Sequence, residues 1–98
     1  MKRFMLLYKG PATTPDATHE GWPEWFASAG ESLVDRGSPM NNGLTVHGDG
    51  TSDASATGLN GYSIIQAENT DEARDLVASH PYLSGSGCTV EIFEIPNK

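Results

Sequence analysis

The residues of this chain best suited to chemistry are its three histidines and a few acidic side chains. His80 is the strongest candidate, because it continues the apolar i, i+3, i+4, i+7 stripe of a predicted helix and precedes Pro81-Tyr82. An imidazole at a pocket edge could donate or accept a proton near neutral pH. A half-buried histidine at a helix end could equally be structural, bonded to a backbone carbonyl and favoured by the helix dipole. The sequence leaves both interpretations open.

Asp35 and His19 are the other candidates for acid–base catalysis. Asp35 is predicted at the C-terminal end of the first helix, where a negative charge is unfavourable, and a residue in a locally poor position can mark a site. His19 lies in a polar loop before that helix, where it could gate a site or act in one. For both residues the alternative is a solvated side chain at the surface.

Four further side chains are candidates for ligand contacts. Tyr62 and Tyr82 could each present a hydroxyl group to a pocket, and Trp25 could stack on a ligand. Glu91 would be a carboxylate in need of a partner if its side of the strand lined a cavity. The alternatives are ordinary packing for the aromatic side chains and a solvated strand edge for Glu91.

Cofactor and metal chemistry have little support in the sequence. The histidines are scattered, with no two at ligand spacing, and Cys88 is the single cysteine. Glycine-rich phosphate-binding motifs and a nucleophile elbow do not occur. We therefore expect no metal and no cofactor.

Length and charge narrow the classes of partner. The chain of 98 residues suits one domain, residues 1–98. Its 13 acidic and 6 basic residues give a net charge of −7, which disfavours nucleic acid and anionic membrane surfaces as partners. No apolar run approaches the 18 residues or so of a membrane span. With one cysteine, a reducing compartment is the natural interpretation, and we expect a cytoplasmic protein.

The spacing of apolar residues and the positions of proline, glycine and asparagine predict the secondary structure. Pro23 and Gly37 bracket the predicted first helix, and Asn69 is the predicted N-cap of the second. Residues 51–60 carry almost no large apolar side chain and are expected to open most easily. The predicted strands are Arg3–Lys9, a weak one at Leu44–His47, Gly61–Ala67 and Cys88–Ile95.

This order predicts an α+β, ferredoxin-like β-α-β-β-α-β fold, an antiparallel sheet with both helices on one face. Yet the first strand is apolar on both sides, with Met5 and Leu7 on one and Phe4, Leu6 and Tyr8 on the other. An apolar face that the helices cannot cover is an interaction surface, and a second copy is its simplest cover. Two such faces packed together tend to leave a cavity for a small molecule.

Several segments resemble the YCII-related proteins: Phe4–Tyr8, Leu33–Met40, Gly61–Ala67 and His80-Pro81-Tyr82-Leu83. The resemblance implies a ferredoxin-like subunit that dimerises as an α/β barrel, with largely unassigned biochemistry. In the namesake branch, a histidine at the start of the first helix and the aspartate of an Asp-Pro-Tyr motif are suggested as a catalytic pair. Here His80 occupies that aspartate position, and His19 lies near the first helix. The Asp-Gly-Pro-Phe signature of a sister branch is missing.

Two functions therefore compete. The first is a homodimeric small domain of unassigned biochemistry that binds a small molecule in a pocket at the sheet face. The alternative is a proton-transfer enzyme, a lyase or isomerase, with His80 as acid/base and Asp35, Glu91 or a tyrosine orienting it. An enclosed cavity with His80 in reach of a carboxylate would favour the enzyme, and a filled apolar interface would favour the binding module.

Overall fold

A computed structural model of the chain describes residues 1–10, 22–84 and 87–96. The elements within these ranges are six strands and two α-helices, with 3-10 helices at Gly30–Ser32 and Pro81–Ser84. In chain order they are β1 (Lys2–Lys9), α1 (Trp22–Ala29), β2 (Leu33–Pro39), β3 (Leu44–Val46), β4 (Ser52–Ala54), β5 (Leu59–Ala67), α2 (Thr70–Ala78) and β6 (Thr89–Ile95).

Four of the strands form one antiparallel sheet in the order β2-β5-β1-β6, and β3 pairs only with β4. The strands that precede the two helices, β1 and β5, thus lie side by side in the middle of the sheet, and β2 and β6 form its edges. The predicted α+β class is confirmed, since a four-stranded antiparallel sheet is combined with two helices among the described residues. The strand order is compatible with a ferredoxin-like arrangement.

One side of the sheet packs against both helices to form the hydrophobic core. The side chains that β1 contributes are Phe4, Leu6 and Tyr8, each at most 2% exposed. Trp25 from α1 and Val77 from α2 join the same cluster, so both helices lie on this side. Burying a large apolar side chain contributes about 1.5–3 kcal/mol, which makes this alternation the main force that selects the sheet register.

The predicted extent of the first helix is wrong. The helix ends at Ala29 instead of continuing to Gly37. Gly30, at φ +52°, begins the 3-10 helix Gly30–Ser32, and β2 follows at Leu33. Leu33 does pack against the core, but it does so from a strand. Leu33 alone fits the helical spacing and the strand spacing equally well, and its pairing with Ile65 on β5 decided between them.

The weak strand at residues 44–47 exists, but it is not part of the sheet. β3 forms a separate hairpin with β4. The position next to β5, which the prediction gave to this weak strand, is occupied by β2. The segment 51–60 contains β4 and the start of β5. That it opens most easily stays a prediction.

The second helix begins as predicted. The side chain of Asn69 accepts a hydrogen bond of 2.8 Å from the backbone N–H of Glu72, which is an N-cap. The helix ends at Ala78, and Pro81 opens the 3-10 helix that follows. His80 lies in the short segment between the end of α2 and Pro81, and it is 3% exposed.

Candidate functional site

The sheet divides the predicted site residues into two groups. His80, Tyr82 and Trp25 are buried on the helix side, at 3%, 3% and 4% exposure. Tyr62 and Glu91 lie on the opposite side, at strand positions between those that face the core. Asp35 pairs with Ile64 on that opposite side, and His19 lies outside the described residues.

His80 uses both ring nitrogens inside the core. The backbone N–H of Tyr82 donates to Nδ1 at 3.0 Å, and Nε2 lies 3.0 Å from the hydroxyl oxygen of Tyr8. The Tyr8 hydroxyl is in turn 2.7 Å from Oγ of Ser63, which donates to the carbonyl oxygen of Arg36 at 2.7 Å. We call this series the His80–Tyr8–Ser63 chain.

The two ends of the His80–Tyr8–Ser63 chain determine its direction. Because Nδ1 accepts from a backbone N–H, the proton of a neutral His80 lies on Nε2 and is donated to Tyr8. Because Ser63 gives its own proton to a carbonyl, it must accept from the Tyr8 hydroxyl. Every polar hydrogen of the chain therefore has an acceptor, which is what buried polar groups require.

Aromatic rings surround the imidazole. The centroid of His80 lies 4.2 Å from Trp25, 4.6 Å from Trp22 and 4.9 Å from Tyr8. The contacts are tilted or edge-to-face, the geometries that aromatic quadrupoles favour. The ring is thus held by packing from α1 and β1 as well as by hydrogen bonds.

Burial keeps the His80–Tyr8–Ser63 chain uncharged. It lowers the pKa of His80 from 6.5 to about 4, because the desolvated imidazolium loses its hydration. It raises the pKa of Tyr8 to about 12, and the hydrogen bond with Ser63 opposes that rise. Among the described residues, none of the hydrogen bonds to His80 comes from a carboxylate. The arrangement orients and neutralises His80, but supplies no partner to drive proton transfer.

The other two buried candidates are held by similar structural bonds. Trp25 donates from Nε1 to the carbonyl oxygen of Leu76 at 3.2 Å and so ties α1 to α2. The Tyr82 hydroxyl accepts from Nδ2 of Asn60 at 3.0 Å. Burial raises the pKa of Tyr82, and the hydrogen bond from Asn60 opposes this.

The side of the sheet away from the helices is apolar in its centre and is covered by no described element. We call it the open face. Its side chains form rows across the strands, because Leu7 pairs with Tyr62 on β5 and with Glu91 on β6. In the next row Met5 pairs with Ile64 and Phe93, and the side chain of Phe93 is 55% exposed.

Asp35 proves to be a strand residue, so the reasoning that singled it out was wrong. It is exposed at the β2 edge of the sheet and does not stand at the C-terminus of a helix. Its Oδ1 accepts a hydrogen bond of 2.8 Å from the N–H of Gly37, an Asx-type turn within β2. This local bond accounts for an aspartate at the irregularity in the β2–β5 register.

A shallow groove of about 320 Å³ lies elsewhere, where α2 meets the end of β5. Its lining includes Gln66, Glu72 and Asp75, and the Gln66 amide is already bonded to the carbonyl of Glu31. In residues 1–10, 22–84 and 87–96 no cluster of three or more His, Cys, Asp or Glu side chains could hold a metal ion. Nor does any helix in these ranges have the length and apolarity to cross a membrane.

Sequence analysis did not single out Tyr8 and Ser63, which connect His80 to the edge of the sheet. The available signal was Ser63, a hydroxyl at a position of the strand pattern that predicts burial next to Ile65. A buried serine requires a partner, but the pattern could not show that the partner is 55 residues away in the chain.

We compared the chain with models of protein families, with curated proteins and with solved structures, and no match was found in any of the three.

Proposed function

We propose that this chain forms a cytoplasmic homodimer that binds a small molecule at the open face, as a non-catalytic module. The observation that carries the proposal is the open face itself, an apolar centre with Phe93 55% exposed and with polar groups at one end. Both described helices pack on the other side of the sheet, so neither covers the open face. The resemblance to the YCII-related proteins implies the same kind of dimer.

The row of Tyr62, Leu7 and Glu91 is the part of the open face that suits a ligand. Adjacent strands are about 4.8 Å apart, so Tyr62 and Glu91 stand about 10 Å apart on either side of Leu7. An apolar body could lie over Leu7 while a hydroxyl or amine donates to the carboxylate of Glu91. Such a mixture of apolar walls and few polar groups is typical of small-molecule sites.

The position of His80 argues against the proton-transfer alternative. The imidazole lies on the helix side of the sheet, and its two nitrogens are bonded to Tyr82 N–H and Tyr8. Glu91 and Asp35, the carboxylates expected to orient it, belong to the other side. We infer a structural role for His80, in which it joins the end of α2 to β1.

Two experiments test the proposal. Sedimentation equilibrium at tens of micromolar should show a dimer, because obligate interfaces stay associated in this range. A thermal-shift screen with small amines and alcohols should then give hits, whose affinities are measured by calorimetry. We expect Glu91→Gln to weaken such a hit tenfold or more, since a hydrogen bond to a charged group is worth about 1.5–3 kcal/mol. Tyr62→Phe removes a neutral hydroxyl and should weaken it about twofold to tenfold.

The matched control is Glu94→Gln, on the same strand but paired with Phe4 on the helix side. It should leave the affinity unchanged. A monomer at these concentrations would refute the homodimer. If His80→Gln reduced the affinity while Glu91→Gln did not, the ligand site would be on the helix side and the open face would be the wrong assignment.

A further inference from the structure

The hairpin of β3 and β4 projects from the end of the sheet and continues the β2–β5 pair. Two hydrogen bonds define its base, from Met40 N to Asn60 O at 2.7 Å and from Ser55 N to Gly43 O at 2.9 Å. We call residues 43–55 the arm. The arm leaves the sheet beyond the last pair of β2 and β5, which is the end that also carries the row of Tyr62, Leu7 and Glu91.

The arm is amphipathic. Leu44 pairs with Ala54 and Val46 pairs with Ser52, so one side is made of aliphatic and small residues. The strand positions between them, Thr45 and its partner Asp53, form a polar side. The aliphatic side is bare, because Leu44 is 63% exposed and Val46 68% exposed.

A hairpin of this kind is not expected to be stable by itself. Its strands have three residues each, and two-stranded hairpins without a packed face are marginal in water. All residues of β3 and β4 are exposed, so no described part of the chain packs on them. The aliphatic side is therefore a candidate interaction surface.

We propose that a second copy of the chain covers this surface, and that the arm packs Leu44 and Val46 against it. The inference rests on the proposed homodimer and names a second part of its interface.

The area of the open face can be worked out from its strands. The four sheet strands have 7 to 9 residues. At about 3.3 Å per residue and 4.8 Å per strand, the open face spans only about 500 Å² in plan.

A stable interface buries about 800 Å² on each partner, so the open face alone is small for the purpose. The arm leaves the sheet at the end of the open face that carries the row of Leu7, so it can extend the buried surface. In a two-fold dimer the contact is reciprocal, because the arm of each copy packs against the other copy. A mutation in the arm then removes side chains from the interface twice.

The test is a dilution series of the full chain by sedimentation velocity. The double variant Leu44→Thr with Val46→Thr keeps β-branched residues in the strand but removes the aliphatic surface. We expect its dimer dissociation constant to rise at least tenfold. Asp53→Asn, on the polar side, should leave that constant unchanged, and Phe93→Thr, in the open face, should raise it.

The outcomes separate the arm from the open face. A double variant that dimerises as tightly as wild type overturns the role of the arm, even when Phe93→Thr weakens the dimer and so supports the proposed function. A wild-type monomer at tens of micromolar refutes both. As a measurement without mutation, the methyl resonances of Leu44 and Val46 should shift on dilution through the dissociation constant, and invariant resonances would contradict the packing.

Discussion

Lowering the pH should destabilise the fold through His80. In the folded chain burial lowers the pKa of His80 to about 4, whereas the unfolded value is 6.5. Between pH 6.5 and pH 4, His80 is protonated in the unfolded state but neutral in the folded state, so acid favours unfolding. The stabilising contribution is complete above pH 6.5 and is lost as the pH falls toward 4. The full difference is about 3 kcal/mol, since one pKa unit is worth about 1.4 kcal/mol.

The clearest window lies between pH 7.5 and pH 5. Over this range the His80 linkage removes about 2 kcal/mol from the free energy of unfolding. Carboxylates titrate mostly below it, because unperturbed Asp and Glu have pKa values of about 4. Urea denaturation followed by tryptophan fluorescence, at one protein concentration, measures the difference directly.

Two variants make the assignment specific. His80→Gln can still accept from Tyr82 N–H and donate to Tyr8, but it does not titrate, so the loss between pH 7.5 and pH 5 should disappear. His47→Gln removes an exposed histidine that pairs with Asp53, and the loss should persist. Nitrogen-15 NMR should also find His80 neutral, with its proton on Nε2, down to about pH 4. Protonation of folded His80 near pH 6.5 would refute the reasoning.

Three other outcomes follow from the same contacts. Tyr8→Phe leaves Nε2–H of His80 without its acceptor and should cost about 1–3 kcal/mol in urea melts, whereas Tyr62→Phe on the open face should change stability by less than about 0.5 kcal/mol. Gly37→Ala should cost more than about 2 kcal/mol of stability, because φ is +76° and a Cβ would lie 1.7 Å from the carbonyl oxygen of Tyr62. The control is Gly50→Ala, at φ +91° with open space around it, which should cost less. Equal losses of stability would refute the clash. Hydrogen exchange should be faster in β4 than in β5, since every residue of β4 is exposed, and equal protection would contradict this.

Strands β1, β5 and β6 and the second helix were predictable because their signals are local. Alternation in Gly61–Ala67 reports the two sides of a sheet, and the Asn69 cap acts within one turn of the helix. The end of the first helix was not predictable in this way. Leu33 satisfied the helical spacing, and only its pairing with β5 made it a strand residue.

For His80 the sequence predicted the side of the sheet, but not the side chains that bond to it. Spacing along α2 indicated that His80 faces the core, and its low exposure agrees with that. It could not indicate Tyr8, which lies 72 residues away, or the tautomer that Tyr82 N–H imposes. Nor could it show that Glu91 lies across the sheet from His80.

The sequence by itself therefore determined the alternation of its strands, the cap of its second helix, the acidic net charge and the two-sided apolar pattern of β1. Each of these depends on neighbours a few residues apart or on composition. Only the tertiary structure decided which strand stands next to β5, which hydroxyl groups meet His80, and which predicted site residues share one side of the sheet. These depend on contacts between distant segments, whose geometry exists only after the helices have packed on one side and left the other open.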